Sequence, residues 1–159
     1  MSGYLIVEHI LSENECADYI KEMWDWLESL GTGLDRNDPS TWTAEKWPQN
    51  SRGIISCYNV GHAPFLWKLR QNPRVLETFC KLWKVESPED LLVSFDGCCI
   101  QKPSSRGTKN WLHIDQTRPE YKGKRVCIQG HITMTDMGGD SNVSSLCVLE
   151  GSHKYHAEF

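Results

Sequence analysis

No stretch of this sequence is apolar for long enough to cross a bilayer. The N-terminus also lacks the basic segment and apolar run of a secretory signal. A membrane partner is therefore not expected. Positive charge is not in excess either: the net charge is −4 and the pI near 5.8. That argues against a nucleic-acid partner. There is no C-x-x-C pair. The seven cysteines are odd in number and two of them, Cys98 and Cys99, are adjacent, a poor start for a disulfide framework. They read as reduced, mostly buried thiols in an intracellular, cytoplasmic setting. No internal repeat, low-complexity tract or linker breaks the chain.

What is present is an ordinary globular composition, 39% hydrophobic and 24% charged over 159 residues. That is one domain with room for a real core. Residues 1–88 read as mainly helical. Ser12-x-x-Glu15 is a capping box opening a helix. Cys16, Tyr19, Ile20, Met23, Leu27 and Leu30 follow as one apolar stripe, and Gly31 ends it as a C′ residue. Pro64 and the pair Asn72-Pro73 start two more helices. The second carries a stripe of Val75, Leu76, Phe79, Leu82 and Trp83. Short strands are expected at residues 4–7 and 53–58. The polar loop 31–53 is long for a structureless connection. It holds Trp42 and Trp47, which read as the wall or lid of a substrate cleft.

After Pro88 the character changes. Residues 91–95, 98–101, 111–116, 125–137 and 146–149 read as strands, with turns at Asp96-Gly97 and Gly138-Gly139-Asp140. Helices followed by consecutive strands make the chain α+β, with a β-sandwich or jelly roll as its second part, 89–159. The chemistry sits in Asn110-Trp111-Leu112-His113-Ile114-Asp115-Gln116. Side chains two apart on a strand share a face, so His113 and Asp115 can aim at one point. They amount to two thirds of the 2-His-1-carboxylate triad of non-haem Fe(II) oxygenases. Spacing alone favours a hydrogen-bonded core histidine beside an aspartate that caps a turn.

Gly3-Tyr4-Leu5-Ile6, with Leu11-Ser12-Glu13-Asn14-Glu15-Cys16 after it, resembles the N-terminal signature of the phytanoyl-CoA dioxygenase-like family. Trp111-x-His113-x-Asp115-Gln116 resembles that family's metal strand. Val126-Cys127-Ile128-Gln129-Gly130 and Leu149-Glu150-Gly151-Ser152-His153-Lys154 resemble its next strand and its Pro-Gly-Ser-His-Lys turn. The motifs come in the family's order over nearly the whole chain.

The resemblance implies helices packed on a double-stranded β-helix (jelly roll) that holds Fe(II) and 2-oxoglutarate. His113 and Asp115 would be iron ligands, and Gln129 and Gln101 cosubstrate contacts. Gln129 reads equally as an outward polar residue on an alternating strand. The implied activity is an oxidoreductase: hydroxylation of a small molecule coupled to decarboxylation of 2-oxoglutarate to succinate. The family's distal histidine and its 2-oxoglutarate-binding arginine would fall beyond Phe159, so the resemblance implies a jelly roll incomplete at the C-terminus. His153 belongs to the turn, and in the family that histidine is not the ligand. The alternatives are a non-catalytic jelly-roll binding module or relic, and a metal-dependent isomerase or storage-type jelly roll calling on Glu120 or Glu150.

Overall fold

The structure is a computed structural model that describes residues 2–102, 111–115, 125–136 and 146–158. It divides into two compact units, a helical unit of His9–Ser105 and a second unit of Met1–Glu8 with Arg106–Phe159. Gln116, Glu120, Met137 and the turn at 138–140 lie outside the described residues.

In the helical unit, α1 runs Glu13–Ser29. Its capping box is complete: the Ser12 hydroxyl accepts from Glu15 N–H at 3.3 Å, and Ser12 N–H donates to Glu15 Oε2 at 2.8 Å. Gly31 follows the helix with φ +70°, left-handed as a C′ glycine should be. Tyr19 and Leu27 are the buried part of the apolar stripe. α2 (Pro64–Arg70) begins on a proline whose missing N–H costs nothing at that position, and buries Phe65, Leu66 and Leu69. α3 (Pro73–Trp83) is capped by Asn72, whose side chain accepts from Arg74 N–H at 3.0 Å.

Asn72 is buried, and its amide also donates to Glu15 Oε1 at 3.2 Å and to the Tyr19 hydroxyl at 3.4 Å. Arg74 pairs with Glu15 and donates to Ile10 O. One polar knot therefore ties the start of α1 to the start of α3 and satisfies a buried amide that would otherwise be costly.

The sheet among the described residues is one antiparallel pair, β1 (Ile54–Ile55) and β2 (Cys98–Cys99), with Ile54 opposite Cys99 and Ile55 opposite Cys98. Ile100 N–H extends it by donating to Gly53 O at 3.0 Å. Ile55, Ile100, Leu27, Leu34, Val60, Phe65 and Leu66 form the core. The pairing carries the helical unit past residue 88 to Ser105.

Strand expectations hold only in part. β1 and β2 are shorter than residues 53–58 and 98–101, and residues 4–7 and 91–95 form no strand. In the second unit, residues 111–115, 125–136 and 146–149 form no paired strand, and Ser152–Glu158 is a 3-10 helix. A strand exists through its partner's backbone groups. No partner strand is seen for these segments among the described residues, where Leu5, Ile6, Leu92, Leu112, Leu146 and Leu149 are exposed. No jelly roll is seen among the described residues. No helix among them is long and apolar enough to cross a membrane.

Candidate metal site

His113 and Asp115 lie together, as their spacing predicts. Imidazole Nε2 is 3.2 Å from Asp115 Oδ1. The other ring nitrogen, Nδ1, is 3.0 Å from the carbonyl oxygen of Trp111. A carbonyl only accepts, so Nδ1 carries the proton and donates. Nε2 then turns its lone pair toward a carboxylate oxygen. Two acceptors that close repel unless a cation stands between them, either a second proton on the ring or a metal ion.

The donor set fits a metal. Two ligands about 2.1 Å from one ion and at right angles are about 3.0 Å apart, close to the observed 3.2 Å. Metal-bound histidines characteristically donate the far N–H to a backbone carbonyl or carboxylate, which fixes the tautomer. Trp111 supplies that carbonyl. Its indole also stacks on the imidazole, with ring centroids 4.1 Å apart and planes at 21°. The side chains of His113 and Asp115 are 43% and 59% exposed, open to an incoming ion. Among the described residues no group of three His, Cys, Asp or Glu side chains converges, so this pair supplies two donors.

Gln129 joins the same cluster. Its amide Nε2 donates to Asp115 Oδ2 at 2.5 Å. Gln101 lies in the helical unit, where its side chain covers Gly53, with Cγ 2.7 Å from where a Cβ there would stand. His153 rests against the backbone of Gly3, and Gly151 N–H donates to Ser2 O at 2.8 Å, joining the glycine-serine-histidine turn to the N-terminal segment.

Trp42 and Trp47, read from the sequence as the wall or lid of a cleft, pack on the helical unit. Trp47 is 6% exposed within the core, and Trp42 packs against it, with both rings next to Trp24 on α1. Trp42 Nε1–H donates to Asp35 O at 2.8 Å. Arg36 binds Glu28 through two nitrogens and also reaches Asp25. These contacts hold the loop on α1, and they pull the Asp25 and Glu28 carboxyls below their ordinary range. Cys98 is pushed up to about 12 by burial, with Cys99 beside it adding to the effect, so its thiol stays protonated and unreactive.

The part of Trp111 was missed, although the same two-residue alternation that pairs 113 with 115 also puts 111 on their face. The tie from Gln129 to Asp115 has no local signal, because 14 residues separate them.

The chain is similar to two curated proteins, and it spans half or less of the length of each. It is 35% identical over 159 residues to "Ava biosynthesis cluster protein O" of Aspergillus versicolor, covering 99% of this chain and 49% of that protein. It is 29% identical over 130 residues to "Putative phytanoyl-CoA dioxygenase" of Dictyostelium discoideum, covering 76% of this chain and 36% of that protein. No family model and no solved structure matches.

Proposed function

We propose that the chain belongs to the phytanoyl-CoA dioxygenase-like oxygenases and carries two of three protein ligands of a non-haem Fe(II), 2-oxoglutarate-dependent hydroxylase. In this reading the second unit supplies strands of a double-stranded β-helix. The observation that carries it is the His113–Asp115 pair, whose Nε2 and Oδ1 face each other at 3.2 Å while Nδ1 stands 3.0 Å from Trp111 O. The Dictyostelium relative's name supports the oxygenase class.

His113 Nε2 and Asp115 Oδ1 would hold the ion. Bound Fe(II) with 2-oxoglutarate supplies oxygen activation, chemistry that no side chain can supply. The protein's part is orientation: Trp111 fixes the tautomer and plane of the imidazole, and Gln129 engages the carboxylate oxygen that the ion leaves free.

The test is succinate release from 2-oxoglutarate. It is expected to need Fe(II) and to fall at least about a hundredfold in His113→Ala or Asp115→Ala, the scale on which removing a ligand exceeds the loss of an outer partner. Fe(II) held by the pair with no succinate formed would replace the enzyme by a non-catalytic binding module.

A further inference from the structure

We infer that Gln129 is a positioning residue for Asp115, setting which carboxylate oxygen the metal meets; the inference rests on the proposed metal site. Asp115 has two chemically equal oxygens, and the terminal torsion of an aspartate is broad and roughly two-fold. Left alone, either oxygen could face His113, or both could share one ion. The geometry removes that freedom. Gln129 Nε2 donates to Oδ2 at 2.5 Å, while Oδ1 stands 3.2 Å from His113 Nε2. With Oδ2 engaged, Asp115 is left to bind through Oδ1 alone. One-oxygen binding keeps coordination positions open for small molecules, which a two-oxygen carboxylate would occupy.

The residue type suits this task. An amide donates without charge, so it holds the carboxylate without competing with the cation. A lysine or arginine there would offset the negative charge the ion needs. Gln129 is exposed, and so is Asp115. Neither is a core residue, so the bond's main consequence is local. It also links residues 125–136 to residues 111–115, fixing how two segments of the second unit meet at the metal pair. The family resemblance implies a cosubstrate contact for Gln129; its partner in the structure is the Asp115 side chain.

Co(II) titration of the purified protein, followed by visible absorption, tests the inference without turnover. Gln129→Met keeps side-chain length and loses the donor. Gln129→Asn keeps an amide that falls one methylene short of Oδ2. Both are expected to weaken Co(II) binding by about 10- to 100-fold, the range for removing an outer partner of a metal ligand. Both should also alter the visible spectrum of the bound ion, with an unchanged urea midpoint; a spectral change is a readout that a purely structural role would not move. Unchanged affinity and spectrum in both variants, with Co(II) still lost in His113→Ala, would overturn the inference and leave the metal site standing. Co(II) binding unaffected by His113→Ala would overturn the metal site itself.

Discussion

Gly97→Ala is expected to be the most damaging small substitution in the helical unit. Gly97 precedes β2 and runs hard against β1. A Cβ at this position would press into Ile55 O, 2.9 Å from the Ile55 carbonyl carbon and 3.3 Å from Ser56 Cα. All are backbone atoms, which cannot swing aside as a side-chain tip can. Carbon atoms rest at about 3.5 Å or more, so β2 must retreat by at least about 0.6 Å. The retreat would strain a sheet that is only two residues long on each strand. Two ladder hydrogen bonds at about 1 kcal/mol each, with about 1 kcal/mol more from loosening around the buried Ile55 and Ile100, give a loss of about 3 kcal/mol. Gly31→Ala is the control. Nothing lies within 4 Å of a Cβ there, and only the left-handed φ of +70° opposes it, at about 1 kcal/mol. Urea unfolding followed by far-UV circular dichroism separates the two. With a slope of about 1.5 kcal/mol per molar, midpoints should fall by about 2 M for Gly97→Ala and about 0.7 M for Gly31→Ala. A smaller loss for Gly97→Ala than for Gly31→Ala would refute the close approach of β2 to β1.

Ser12→Ala should cost about 1 kcal/mol of stability through the lost N-cap, read as a lower melting temperature. Glu15 is held down to about 2 from an ordinary 4.5, first by Ser12 N–H, then by the Ser12 hydroxyl and Arg74. A lowered folded-state value stabilises fully above 4.5, and that share disappears as pH falls from 4.5 toward 2. The urea midpoint should therefore drop more steeply across this window in the wild type than in Glu15→Gln; equal slopes would contradict the capping box. Trp47→Ala should cost about 3–5 kcal/mol as a large-to-small core change, and Trp42→Ala less, because Trp42 is only half-buried. An unchanged midpoint in Trp47→Ala would place that ring outside the core.

Local rules made the helices legible. Ser12 with Glu15, Pro64, and Asn72 with Pro73 each act within one turn, so their signals survive without knowledge of the rest of the chain. Strands are defined by partners far along the sequence, which is why residues 53–58 and 98–101 were found but drawn too long, and why residues 91–95 looked like a strand from their apolar run alone. The packing of the tryptophans of loop 31–53 was not legible, for a related reason. Polar neighbours in sequence suggested a surface lid, while Trp24 on α1 and the Arg36–Glu28 pair draw the loop onto the core. The nearness of His113 and Asp115 was legible because the two residues share one short segment. The supports of the pair divide along the same line, with Trp111 two residues away and within reach of the same alternation, and Gln129 visible only once the chain is folded.

Anaerobic Fe(II) titration by calorimetry addresses the central claim most directly, comparing the wild type with His113→Ala and Asp115→Ala. The proposed site predicts that the protein takes up Fe(II) and that either substitution abolishes uptake, since each removes one of the two donors that face each other at 3.2 Å. Fe(II) uptake that is the same in all three proteins would contradict it, leaving His113 and Asp115 as an exposed ion pair with no metal to hold.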